Sequence, residues 1–170
     1  GSLGLVFMLL GLWSCNSGPK PENNKRPVTS DKPNPNAVKM PDFKFTTLDG
    51  KPFTRKDLKK QKAVFFFFSS LCEHCKKTAK HLVQRADELK DVQVILFSTE
   101  KDVSMKLFRK ENGLEGFSNY QFMHIENKDV FKHFGAVQVP SAFIYNRHQE
   151  LVQKIIGITF FDFILDNIPA

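Results

Sequence analysis

Residues 63–70, "AVFFFFSS", constrain the fold more than any other part of the chain. Six apolar residues in a row, four of them Phe, are closed by two serines. A phenylalanine has no polar atom to satisfy when buried. A short continuous apolar run bounded by polar residues reads as a strand buried on both faces, since a one-sided strand would alternate. Such a strand needs cover above and below it, which calls for a layered α/β domain. With 170 residues, 41% of them apolar, the chain can build one core of that kind and still carry a tail.

The run leads directly into "LCEHCKK", where Cys72 and Cys75 are separated by Glu73 and His74. The spacing alone leaves three uses open: a redox pair, half of a metal site, or two buried thiols. From Cys72 to Leu89 the apolar positions Ala79, Leu82, Val83, Ala86 and Leu89 recur at helical spacing, so a helix starts at or beside the cysteines. A structural zinc site takes about four ligands, and beyond Cys15 the chain has only this one Cys pair. His81, His124, His133 and His148 show no ligand-like local spacing, and Lys76 stands where a c-type haem motif requires His. No resident metal is expected.

The remaining elements follow from pattern and punctuation. "FKFTT" and "KPFT" flank Asp49-Gly50, a hairpin turn signal. "VQVILFS" is a second buried strand, "DVSMKLFRKENG" a helix closing at Gly113, and "NKDVFKHFG" a helix stopped by Gly135. "SAFIYN" and "LVQKIIGI" are strands joined by "RHQE", and "TFFDFILDN" is a last helix. The expected order is β-hairpin, β, α, β, α, α, β, β, α. It implies a central mixed sheet with helices on both sides.

The net charge of +7 is scattered among acids with no long basic run, so it reads as solubility and not as a nucleic-acid surface, and it suits acidic partners or a membrane surface. "LGLVFMLLGLW" is an apolar run of about 11 residues, the length of a signal-peptide core and short of the ~20 a spanning helix needs. It is followed by "LWSC", which resembles a bacterial lipobox: Leu12 stands three before Cys15 and the small Ser14 directly before it. The resemblance implies lipidation of Cys15. Residues 16–37 hold five prolines and five asparagines and almost nothing apolar, the composition of a disordered tether. The expected organisation is a leader over 1–15, a tether over 16–37 and a folded domain over 38–170. Together these features place the chain on the periplasmic side of a bacterial cell envelope, lipid-anchored.

A buried strand entering C-x-x-C at a helix start, followed by βα units and by "GAVQVPSAF" ahead of a final hairpin and helix, resembles the thioredoxin fold. More narrowly, "MPDFKFTTLDGKPFTRKDLKKQKAVFFFFSSLCEHC" is similar to the opening of the TlpA/ResA group of exported thiol-disulfide oxidoreductases, and the similarity runs over about residues 38–170. It implies an enzyme exchanging disulfides with protein thiols through Cys72 and Cys75, with no cofactor beyond that disulfide. A helix N-terminus favours negative charge on the first sulfur, so Cys72 would be the nucleophile and Cys75 the buried resolving thiol.

By the same resemblance Pro140 follows a cis bond, and Val139 and Pro140 shape the groove in which an extended substrate pairs. Glu73 and His74 tune the couple in opposite directions. Leu71 replaces the usual aromatic lip residue, and Phe66 replaces the buried acid of classical thioredoxin, so water, Glu73 or another group must relay the Cys75 proton. The group's analogy implies reduction of envelope proteins such as apocytochrome c, with electrons from a membrane redox partner, whereas His74 resembles the oxidising DsbA type. Two alternatives share the fold. One is a Sco-type copper chaperone using the thiolates with His124 or His133. The other is a peroxiredoxin, for which Ser69 has the right offset from Cys72 but Phe65 stands in place of the required Pro.

Overall fold

The computed structural model describes residues 32–59 and 62–169. The leader, Cys15 and most of the tether lie outside the described residues. No helix among those described is long and apolar enough to cross a membrane.

β1 (Lys44–Thr47) and β2 (Pro52–Thr54) form the opening hairpin, and Gly50 turns it with φ +77°, a conformation that glycine adopts without steric penalty. A 3₁₀ turn over Arg55–Asp57 follows, capped by Thr54, whose hydroxyl accepts from the Lys56 N–H while the Asp57 carboxylate accepts from the Thr54 N–H. β3 (Lys62–Phe67), α1 (Glu73–Gln84), β4 (Val92–Ser98), α2 (Asp102–Glu111), β5 (Tyr120–His124), α3 (Asn127–Phe134), β6 (Ser141–Tyr145), β7 (Leu151–Ile156) and α4 (Phe161–Asp166) complete the chain. One seven-stranded sheet runs in the order β2-β1-β5-β4-β3-β6-β7. β3, β4 and β5 are parallel, and β1, β2, β6 and β7 extend the two flanks with antiparallel pairs.

The expected thioredoxin-like α/β architecture is present, with two differences. β5 stands between α2 and α3, which were expected to follow each other directly. Its five residues include Gln121 and His124, so it lacks the apolar continuity that marks β3 and β4. It is a strand because it pairs β4 on one edge and β1 on the other, and because Gln121 Oε1 accepts the side-chain N–H of buried Gln93 at 2.6 Å. The helix expected over 72–89 ends at Gln84, and a separate 3₁₀ turn covers Ala86–Leu89. Arg85 breaks the helix with φ −112° and pairs with both Glu88 and Asp162.

β3 explains the layering. Its phenylalanines, with Phe68 just beyond it, alternate between two cores: Phe66 and Phe68 belong to the one that α1, α2 and α4 cover, while Phe65 packs with Phe43, Phe45, Phe97, Phe134 and Phe143 on the opposite face. Helices thus cover both sides of the sheet, α1, α2 and α4 on one and α3 on the other. Phe65 is 0% exposed, with ring contacts to Phe43 at 5.4 Å and Tyr145 at 5.3 Å.

The folded unit begins ahead of the expected boundary at Val38. The Asn34 N–H donates to Glu150 Oε1 at 2.9 Å, Lys39 Nζ donates to the same oxygen at 2.6 Å, and Asn146 Nδ2 donates to the other at 2.9 Å. Leu151 N–H to Val38 C=O and Met40 N–H to Gln149 C=O continue the contact as backbone pairing. The last residues of the presumed tether are therefore clipped to the turn before β7. The side-chain bonds from Lys39 and Asn146 lead in holding the Glu150 carboxyl down at about 2.

Two predictions follow from this packing. Phe65→Ala should lower the unfolding free energy by about 3–5 kcal/mol, read as a lower urea midpoint at unchanged slope. Because the folded value of Glu150 lies below its ordinary 4.5, its contribution is complete above that pH and is lost as pH falls toward about 2. Glu150→Gln should therefore melt lower than the parent near neutral pH, with the gap closing across that acid window in thermal scans.

Candidate active site

The C-terminal ends of the parallel strands β3, β4 and β5 converge on the segment that carries the cysteines. Phe68 N–H still donates to Phe97 C=O at 3.1 Å, and the chain then turns over Ser69–Leu71. Cys72 is the N-cap of α1: its Sγ accepts the Cys75 N–H at 3.2 Å, and its C=O accepts from Lys76 N–H at 3.1 Å. Serine, threonine and aspartate fill this position in most helices because an unpaired N–H needs an acceptor. Here the acceptor is a sulfur, held where the N-terminal end of a 12-residue helix favours negative charge. Cys72 is half-buried, whereas Cys75, one turn on, is 3% exposed and packs with Val64, Phe66 and Ala79.

The residues singled out in the sequence do not all gather at one place. Val139 and Cys72 pack against the same core cluster, and the Val139–Pro140 bond is cis. The Pro140 carbonyl accepts from Gly157 N–H at 2.8 Å, which ties the Pro140 loop to the end of β7. Leu71 is 85% exposed beside Cys72, an apolar lip with nothing covering it. Glu73 turns to solvent and bonds Lys76 at 2.6 Å, which is the main reason its carboxyl lies below its usual range.

His74 lines a cleft of about 550 Å³ between α1, the Pro140 loop and the β7–α4 connection. Phe66, in place of the buried acid, forms part of that cleft's wall and carries no proton. Among the described residues no three His, Cys, Asp or Glu side chains gather as metal ligands would. His124 Nδ1 lies 2.9 Å from the Glu100 carbonyl, and His133 sits in a separate hollow with Asp42 and Asp129.

Glu100 was not singled out in the sequence. Its carboxylate accepts Ser70 N–H at 2.9 Å, Ser70 Oγ at 2.9 Å and Ser69 Oγ at 3.1 Å, so it clamps the turn that delivers Cys72. Its own N–H donates to buried Ser98 Oγ at 3.2 Å. The signal was present: an acid two residues beyond a buried parallel strand stands at the sheet end where open α/β sheets place their sites. Ser69 is engaged in this clamp. Glu100→Ala should free the turn, and amide hydrogen exchange at Ser70 should quicken. A global loss of about 1–3 kcal/mol is expected from three orphaned donors.

Comparison with known proteins agrees with this geometry. A family described as AhpC/TSA matches residues 37–154. A secreted disulfide oxidoreductase of Mycobacterium tuberculosis, homologous to E. coli DsbE, superposes with a TM-score of 0.63 at 19% identity, covering 74% of this chain and 93% of its own. A thiol:disulfide interchange protein of Chlorobium tepidum TLS gives 0.63 at 22% identity, covering 78% and 97%. BsSco, of the Sco family of cytochrome c oxidase assembly proteins, gives 0.62 at 20% identity, covering 80% and 94%. At these identities the three share the fold with this chain. No curated protein matches it.

Proposed function

The chain belongs to the AhpC/TSA family, and from that premise we propose that it is a thioredoxin-like thiol-disulfide oxidoreductase using Cys72 and Cys75 on protein substrates. The observation that carries this reading is the capped sulfur: Cys72 Sγ accepts the Cys75 N–H at the start of α1, with Cys75 buried directly behind it. An N–H donor and a helix N-terminus stabilise a thiolate, and the thiolate is the attacking species.

In the reducing direction, Cys72 thiolate attacks one sulfur of a substrate disulfide. A mixed disulfide forms and the second substrate sulfur leaves as a thiolate, which takes a proton. Cys75, deprotonated, then attacks the Cys72 sulfur. The Cys72–Cys75 bond forms, the mixed disulfide breaks, and the substrate departs with both sulfurs reduced by two electrons in total. A dithiol partner restores the pair by the same exchange. No further cofactor enters.

The finer assignment is to the TlpA/ResA-like reductases of the cell envelope, held at the membrane by a lipidated Cys15 and supplied by a membrane redox partner, with apocytochrome c among the substrate candidates. The leader, the lipobox-like "LWSC" and the C-E-H-C motif support it. The family match also favours a second reading, peroxide reduction by Cys72, for which Ser69 has the right offset. Against it, Ser69 Oγ is bonded to Glu100 and the buried Phe65 stands where that chemistry needs Pro.

The deciding experiment is the midpoint potential of the pair in glutathione or dithiothreitol buffers, run beside a hydrogen peroxide consumption assay. A two-electron couple at about −270 mV is expected for a reductase, and one at about −120 mV would make the protein an oxidant. Absence of a dithiol couple would overturn the proposal. Cys72→Ser should abolish insulin-disulfide reduction, and Cys75→Ser should trap the mixed disulfide on Cys72, detectable by mass.

A further inference from the structure

We propose that the cleft beside the cysteines selects its protein substrates, favouring those whose reacting cysteine is flanked by an apolar side chain and a carboxylate. This specificity rests on the disulfide-exchange reading above. The cleft, about 550 Å³, is bounded by α1 on one side and by the β7–α4 connection on the other, with Pro140 at the cysteine end. That volume lies within the range of sites that enclose side chains and small ligands.

Two chemistries meet in it. Phe160 and Ile158, on the β7–α4 connection, line the cleft and are 86% and 66% exposed, so one wall of it is made of large apolar side chains open to solvent. Large exposed apolar groups clustered at a site mark an interaction surface. Facing them, α1 presents His74, Lys77 and His81 at helical spacing, and among the described residues no carboxylate lines the cleft. The nearby acids have bonds elsewhere: Glu73 with Lys76 at 2.6 Å and Asp162 with Arg85 at 2.7 Å. His81 is further held by stacking on Phe161, with ring centroids 5.4 Å apart.

The occupant that fits is an extended substrate segment with an aromatic or aliphatic residue against Phe160 and Ile158 and an Asp or Glu reaching Lys77. Lys77 is exposed, so this is a surface ion pair, modest in strength and screened by salt, and a basic residue in the same place would be repelled. Continuity with the Pro140 loop, where the segment would pass Cys72, places the recognised residues within a few positions of the reacting cysteine. Gly157, at φ +86°, leaves room for the Gln138 side chain, whose Nε2 would stand 2.8 Å from a Cβ at this position.

The test uses the reduced full chain and two peptides, Phe-Cys-Glu and Phe-Cys-Lys, each disulfide-linked to thionitrobenzoate. Attack by Cys72 on the peptide sulfur releases the coloured thiolate, and each rate is divided by the rate with dithiothreitol to remove intrinsic leaving-group effects. The acidic peptide should react about tenfold faster than the basic one at low salt, a difference of about 1.4 kcal/mol. Lys77→Glu should bring the ratio to one or invert it, and Phe160→Ala should slow both peptides.

Binding of a dye-labelled Phe-Ser-Glu peptide, measured by fluorescence anisotropy, reads the cleft without any redox step. Lys77-dependent binding in a chain that exchanges no disulfides would sustain the cleft and sink the oxidoreductase reading. Equal normalised rates for the two peptides, unmoved by Lys77→Glu, would overturn the cleft assignment and leave that reading standing. A Phe160-dependent dimer with no peptide preference would assign the cleft to a second copy and also overturn it.

Discussion

The two-sided burial of β3 is the constraint on which everything else depends. Phe65 and Phe66 point to opposite faces, so neither side of the strand can meet water and both need a layer of side chains. The strand's edges are equally occupied, by β4 in parallel and β6 antiparallel, over nearly its whole length. With position and direction set, its C-terminal end can lead only into the turn at Ser69 and the start of α1. A close-packed interior tolerates little adjustment, and so the placement of Cys72 inherits the rigidity of the sheet.

Helix α1 divides its surface between structure and chemistry. Cys75, Ala79 and Leu82 form the buried stripe, and His74, Lys77, Thr78 and His81 form the stripe facing the cleft. Cys75 thus belongs to the core by position, and in the proposed exchange its sulfur would act from there, withheld from solvent yet one turn from Cys72. The acids around the site act structurally. Glu100 holds the turn before Cys72, and Glu73 is neutralised along the outer face by Lys76. Their engagement leaves the cleft with a basic wall.

On the opposite face of the sheet, α3 and the segment from Met40 to Phe45 close the second core. The clip between Lys39, Asn34 and Glu150 brings the chain onto the domain at the turn before β7. The first described residues thus lie beside the β6–β7 turn.

Much of this was legible in the sequence. The Phe run, the Cys pair at a helix start and the glycine stops Gly113 and Gly135 are local features whose physics is complete within a few residues, and they pointed to the mixed sheet, most of the helices and the placement of Cys72 and Cys75 at the start of α1. Pairs distant along the chain were not legible. β5 is a strand only because β4 and β1 flank it. Glu100 is a clamp only because the sheet order sets the end of β4 beside the end of β3, and Phe160 lines a cleft only because α4 returns to α1. Periodicity and turn chemistry are written locally, residue by residue. Which strand ends and helix faces meet is decided by how the layers pack, and tertiary structure alone carries that information.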